Sequence, residues 1–149
     1  MLKKFVSSLL CVLMLVGCGS STSAGAAASA DAEKAVSELG LTDKVEKVED
    51  RIIKGLFFFD EGTIDDASVY ISNDKTADIV GVFKTSDPAA AKEKIEAYLV
   101  TLKGQMESYA PDEVFKVDNA VIEESSDKVV LIIADDIENA RKVAQSLVK

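Results

Sequence analysis

Residues 129–134 (VVLIIA) constrain the fold of this chain more than any other segment. Six apolar residues in a row have the length of a typical β-strand, and they leave no polar side chain on either side of its pleat. A strand of this kind is normally central in its sheet and covered on both faces. The rest of the chain must therefore cover two sheet faces, or a partner protein must cover one of them.

The same order of elements occurs twice along the chain. Residues 67–72 (ASVYIS) and 79–85 (IVGVFKT) are predicted strands, and a capping aspartate with a proline then begins a long helix. Residues 120–124 (AVIEE) and 128–134 (KVVLIIA) are again predicted strands, and an Asp-Asp pair precedes the last helix. We therefore predict an α+β fold. In it, two ββα units form a mainly antiparallel four-stranded sheet with two long helices on one face.

Two short helices are predicted before these units. The first covers residues 31–39 and ends at Gly40. Apolar residues at spacings of three, four and four predict a second helix within residues 45–56. These helices and the phenylalanine run at residues 57–59 are the parts of the chain that can cover the second sheet face.

The first 17 residues are predicted to be a lipoprotein signal peptide. Lys3 and Lys4 precede an apolar run over residues 5–16, which is too short for a transmembrane helix. The run ends in Leu15, Val16, Gly17 and Cys18, a sequence that resembles the bacterial lipobox. In such signals the peptidase recognises the residues before the cysteine, and the cysteine thiol carries a diacylglycerol. The alternative is an ordinary secretory signal with a chance cysteine.

Residues 18–30 (CGSSTSAGAAASA) are predicted to be a flexible tether, and residues 31–149 a single domain. The twelve residues after Cys18 have a root-mean-square reach of roughly 20 Å. Two acyl chains on the cysteine anchor a protein stably, whereas one chain binds only marginally. We therefore expect the domain at the outer face of the cytoplasmic membrane, with the membrane as a partner through Cys18.

Charge and composition exclude several functions. The chain has 17 basic and 26 acidic side chains and a net charge of −9, which argues against nucleic acid as a partner. The chain has no histidine, so a histidine base, a Ser-His-Asp site and a histidine metal site are all excluded. Cys11 lies within the predicted signal peptide and Cys18 at the lipidation site, so neither is free for thiol chemistry. We expect no enzymatic activity and no cofactor.

Two neighbouring segments carry the remaining candidate residues. Their spacing does not match an EF-hand loop, but the carboxylates of the first could bind a cation weakly outside the cell, or they are solvated loop charges. In the second, two phenylalanine rings are expected in the core, and a third could contact a partner protein. The acidic candidates are Asp60, Glu61, Asp65 and Asp66, and the aromatic candidates are Phe57, Phe58 and Phe59.

Residues 67–136 resemble an uncharacterised domain-of-unknown-function family found as lipoproteins in Gram-positive bacteria. The resemblance is carried by residues 67–72 (ASVYIS), 76–79 (TADI), 109–114 (YAPDEV), 118–122 (DNAVI) and 130–136 (VLIIADD). It implies a lipid-anchored location outside the cytoplasm and brings no known activity.

The anchor, the tether and the missing catalytic groups favour a non-catalytic module that docks onto another envelope protein. The alternative is a receptor lipoprotein that binds a small ligand or a cation and is associated with a transporter. A concave pocket would favour the receptor, and an exposed apolar patch would favour the docking module.

Overall fold

A computed structural model describes residues 27–149 of the chain. The predicted signal peptide, Cys18 and the predicted tether up to residue 26 lie outside these residues. The elements of the described part follow one another in this order: α1 (Ala28–Glu38), β1 (Val45–Lys47), α2 (Asp50–Phe57), β2 (Asp66–Ser72), β3 (Ile79–Lys84), α3 (Pro88–Tyr109), a 3-10 turn (Pro111–Glu113), α4 (Val114–Asp118), β4 (Val121–Glu124), β5 (Lys128–Ile133) and α5 (Ile137–Leu147).

The strands form a single five-stranded sheet in the order β1-β2-β3-β5-β4, and all neighbouring pairs are antiparallel. All six residues of β5 are buried, as are the first five of the six in β3. The prediction that residues 129–134 form a central strand covered on both faces is therefore confirmed, and the order of two ββα units is confirmed with it.

Helices cover the two faces of the sheet in two separate layers. Side chains of α1 and α5 pack on one face with Val130 and Ile132 of β5. Side chains of α2, α3 and α4 pack on the other face with Leu131 and Ile133. The prediction that the two long helices, α3 and α5, share one face is therefore wrong. Because β5 is apolar on both sides, each face takes one of these helices together with one of the helices from the N-terminal part.

The prediction of four strands is also wrong, because β1 adds a fifth strand at the edge. Its three residues lie within the segment predicted to be the second helix, and Val45 pairs with Ser72 of β2. Only residues from Asp50 onward are helical. The apolar spacing in this segment fits a helix. Pairing as β1 instead gives hydrogen-bond partners to the backbone groups at the edge of β2, which a helix beginning at Val45 would leave without partners.

Helix α1 begins at Ala28, which is three residues before the predicted start of the domain. The N–H of Ala28 donates to Oδ2 of Asp66 at 2.9 Å, so contact with the sheet extends the ordered helix toward the N-terminus. The longest described helix is α3, with 22 residues. Within residues 27–149, no helix combines the length and the apolar content needed to cross a membrane.

Candidate functional site

A cleft of about 530 Å³ opens between α2, the loop that follows it and the beginning of β2. Its volume is in the range of sites that bind small molecules. The residues that line it are Asp50, Ile53, Lys54, Phe59, Asp60, Glu61, Gly62, Ile64, Asp65, Asp66 and Ala67. The structure therefore brings all four acidic candidates to one cleft, together with Phe59 from the phenylalanine run.

The end of α2 shapes this cleft. Phe58 is the C-cap of the helix and has a left-handed backbone conformation with φ 49° and ψ 42°. Its N–H donates to the carbonyl of Lys54 at 3.1 Å, which ends the helix and turns the chain. Gly62 has a φ of 79°, a conformation that glycine adopts without steric cost. Two residues with positive φ thus lie within five positions of each other before the chain enters the sheet as β2.

The loop between α2 and β2 is held by hydrogen bonds to the sheet. The hydroxyl of Thr85 donates to the carbonyl of Thr63 at 2.6 Å. The N–H of Asp65 donates to the carbonyl of Lys84 at 2.8 Å, and the N–H of Thr63 donates to the carbonyl of Asp60 at 3.1 Å. The acidic side chains are therefore displayed by a loop whose second half is hydrogen-bonded to the end of β3 and to the residue that follows it.

The phenylalanine run divides between the core and the surface. Phe57 is buried and its ring stacks on that of Phe59, with centroids 5.4 Å apart. Both rings pack edge-on against Phe83, and Phe57 also contacts Tyr98. Phe58, in contrast, is 73% exposed. The expectation of two rings in the core is met by Phe57 alone, because Phe59 is half-buried, packs against the core and also lines the cleft, while a partner contact by this run stays a prediction.

Negative charge dominates the cleft. Among the described residues that line it, five carry carboxylates and one, Lys54, carries an ammonium group. Lys94 pairs with Asp60 from outside at 3.3 Å, and Asp66 accepts the N–H of Ala28. Within residues 27–149, no three histidine, cysteine, aspartate or glutamate side chains are grouped so that they could hold a metal ion. The carboxylates are therefore distributed over the cleft together with aromatic and aliphatic side chains, and they are not gathered at one point.

A second polar cluster lies within the fold and was not predicted from the sequence. The ammonium of Lys116 in α4 contacts three carboxylates, at 3.2 Å from Asp78, 2.9 Å from Glu113 and 2.8 Å from Asp135. The hydroxyl of Thr76 donates to the other oxygen of Asp78 at 2.8 Å. These contacts join α4 to the β2–β3 turn and to the loop between β5 and α5.

Opposing effects set the charge state of this cluster. Burial alone disfavours the charged form of Lys116, but hydrogen bonds to the three carboxylates outweigh burial and raise the pKa of the lysine well above its ordinary value. The hydrogen bond from Lys116 lowers the pKa of Asp135. A lysine that stays protonated cannot act as a nucleophile or a base near neutral pH, so we assign the cluster a structural role. In this loop Asp136 caps α5 by accepting the N–H of Asn139.

Residues 37–134 match the sequence model of a protein family described as Domain of unknown function (DUF4358). The match covers well over half of the chain. This chain belongs to the DUF4358 family. The matched residues of the DUF4358 domain include all five strands, α2 to α4 and every residue that lines the cleft. Helix α5 and nearly all of α1 lie outside the match, so one helical layer of the structure is not part of the matched region. No curated protein and no solved structure matches the chain.

Proposed function

We propose that this DUF4358 protein is an extracytoplasmic lipoprotein of a Gram-positive bacterium, anchored through Cys18 to the outer face of the cytoplasmic membrane. Its domain is a non-catalytic module that binds another protein of the cell envelope. The basic N-terminus, the short apolar run and the lipobox of residues 15–18 support the anchor. The resemblance of residues 67–136 to Gram-positive lipoproteins supports the same location.

The observation that carries the docking role is the ring of Phe58, which is 73% exposed and directly precedes Phe59 of the cleft lining in the chain. Exposed aromatic side chains are enriched among the residues that dominate binding energy in protein interfaces, and the cleft adds carboxylates and an apolar wall next to this residue in the chain. The cleft also lies where the chain enters the fold, because the N–H of Ala28 bonds to Asp66 in the cleft lining. The nine residues between Cys18 and Ala28 reach roughly 17 Å, so the proposed partner is met close to the membrane surface.

The absence of histidine from the chain and the protonated state of Lys116 support a role without catalysis. General acid–base catalysis needs a group that gains and loses a proton near the working pH. The buried ammonium has the opposite property, since its three carboxylate partners hold the proton in place.

Site-specific crosslinking in the native host tests the docking module. A photo-crosslinking amino acid replaces Phe58 in one strain and Val100 in another, because the two side chains are about equally exposed, at 73% and 75%. We expect a discrete crosslinked product in membranes from position 58 and none from position 100 on α3. The proposal fails if the two positions give the same products. A Cys18→Ser variant tests the anchor, which is wrong if that variant still fractionates with membranes at native size.

The cleft volume favours one alternative, a receptor for a small ligand or a cation that is associated with a transporter. A cavity of about 530 Å³ is large enough for a metabolite. Screening Ca²⁺, polyamines and amino acids by thermal shift separates the two functions. A ligand present at about 100 times its Kd stabilises the folded state by about 2.7 kcal/mol. A ligand-dependent rise in melting temperature that is absent in the Asp65→Asn variant would favour the receptor.

A further inference from the structure

We infer that the cleft is a docking groove for a cationic, partly apolar peptide segment of an envelope protein, and that the ring of Phe58, which precedes the lining residue Phe59 in the chain, contacts the same segment. The segment would carry lysine or arginine side chains next to a large apolar residue. This inference rests on the proposed binding function and specifies the chemistry of the partner. Three properties of the groove support it: its apolar wall, its charge and the backbone conformation of Phe58.

The apolar part of the groove comes from both sides of the α2–β2 loop. Ile53 of α2 and Phe59 line it on one side, and Ile64 and Ala67 line it on the other. Phe58 immediately precedes Phe59 in the chain and is 73% exposed. Aromatic side chains are enriched among the residues that dominate binding energy in protein interfaces. A partner with an apolar side chain can therefore bury it against this wall and this ring.

The charge of the groove selects among possible occupants. Five carboxylates and one ammonium group, that of Lys54, line the groove, and the whole chain has a net charge of −9. An anionic membrane surface is repelled by such a groove, whereas a basic segment is attracted to it. The chain's own segment before α1 is a poor occupant, because residues 5–27 contain no lysine or arginine. A second copy of the chain carries the same negative groove and the same negative net charge.

The backbone at Phe58 points to a role for its side chain. At the C-terminal end of a helix, a left-handed residue is usually glycine, which has no Cβ to clash in this conformation. A phenylalanine there is an uncommon choice that opposes folding, and its exposed ring recovers no burial in return. Strained residues of this kind concentrate at binding sites. Phe58 thus combines a cost to the fold with an exposed aromatic surface, as expected for a residue that contacts a partner.

Defined peptides test this inference on the full-length lipidated chain in phosphatidylcholine nanodiscs. The probes are fluorescent peptides of equal length built from lysine and leucine, lysine and serine, or glutamate and leucine. We expect only the lysine–leucine peptide to bind. We expect Phe58→Gly to weaken its binding at least tenfold and to raise the melting temperature, because glycine relieves the backbone strain. Val100→Gly, at an equally exposed position on α3, should leave binding unchanged.

Substitutions in the acidic lining test the charge contribution. Glu61→Gln and Asp65→Asn should each weaken binding of the lysine–leucine peptide and reduce its dependence on salt. Phe58→Trp should retain binding, because it keeps a large aromatic surface. If binding is unchanged in Phe58→Gly, or if that variant does not melt at a higher temperature, the assignment of Phe58 is overturned.

Other results would replace the inference with a specific alternative. Equal binding of the lysine–serine peptide would identify a site for small cations, and Phe58-dependent binding to anionic vesicles would identify a membrane contact. Concentration-dependent dimerisation lost in Phe58→Gly would identify self-association. A crosslinked partner at position 58 without binding of the lysine–leucine peptide would overturn the proposed partner chemistry alone. Failure of both experiments would overturn the docking function as well.

Discussion

Replacing Lys116 with methionine removes the cation from a cluster of three carboxylates. The side chain of Asp78 is 2% exposed, that of Glu113 is 18% exposed and that of Asp135 is 66% exposed. In the variant Asp78 keeps a hydrogen bond from Thr76, and Glu113 keeps one from a backbone N–H. Breaking a buried ion pair by removing one partner costs about 3–5 kcal/mol. Most of this cost comes from Asp78, because Asp135 regains water.

The expected loss is a large part of the stability of a domain, which is typically about 5–15 kcal/mol. Urea unfolding followed by circular dichroism at neutral pH measures it. The matched control is Lys103→Met, because Lys103 lies only 2.6 Å from Asp118 but both side chains are more than 40% exposed. Water screens this surface pair, so we expect the control to unfold close to the wild type. Equal destabilisation in the two variants would refute the argument that burial makes the Lys116 cluster important.

The pH dependence of the same variant gives an independent test. Asp135 loses its lysine partner in Lys116→Met, so the stability that its lowered pKa gives the wild type should be reduced in the variant. In the wild type, the lowered pKa of Asp135 contributes stability above its ordinary value of 3.8, and this is lost as the pH falls through the folded value. Because the pKa of Lys116 is raised in the folded state, this lysine contributes stability that is fully present below pH 10.5 and is lost at more alkaline pH.

Three further substitutions have defined outcomes. Gly81→Ala would place its Cβ 2.8 Å from the ring of Phe83, which is fully buried, so we expect a loss of about 2 kcal/mol in urea unfolding. Lys128→Met removes the buried partner of Asp31 and should cost about 3 kcal/mol, with faster amide hydrogen exchange in α1. Burial raises the pKa of Tyr98 to about 12, so its phenol contributes stability that is lost as the pH rises from 10.0 toward that value. Tyr98→Phe should therefore move the midpoint of alkaline unfolding upward.

Specific results would contradict each of these expectations. Wild-type stability in Gly81→Ala would mean that the aromatic cluster adapts to an added methyl group. Unchanged exchange in α1 of Lys128→Met would mean that its alanine face alone holds this helix on the sheet. An unchanged alkaline midpoint in Tyr98→Phe would show that this phenol does not titrate with unfolding.

The central strands and the two later helices were predictable because their signals are local. Apolar residues on both sides of a pleat define β5, and Asp87 and Asp136 accept the N–H groups of Ala90 and Asn139 as helix caps. The edge strand β1 was missed for a non-local reason. Its three residues are extended because they pair with β2, more than twenty positions away, and their apolar spacing also fits a helix.

The residues of the candidate site were predictable from the sequence, but their arrangement in the fold was not. The acidic loop and the phenylalanine run were both evident from the sequence. The meeting of the acidic loop and Phe59 in one cleft depends on the left-handed turn at Phe58, the turn at Gly62 and the bonds that hold the loop to Thr85 and Lys84. A phenylalanine in a left-handed conformation is not suggested by any propensity, so the direction of its ring required the structure.

The sequence by itself determined the fold class, the repeated ββα order and the exclusion of histidine chemistry, because strand and helix signals act between neighbours in the chain. Only the tertiary structure decided which helix covers which sheet face, that β1 adds a fifth strand, and which charges are buried together. Asp78 and Lys116 are 38 positions apart, and Asp31 and Lys128 are 97 positions apart. Such pairs arise when burial makes an unpaired charge too costly, and no local pattern in the chain marks them.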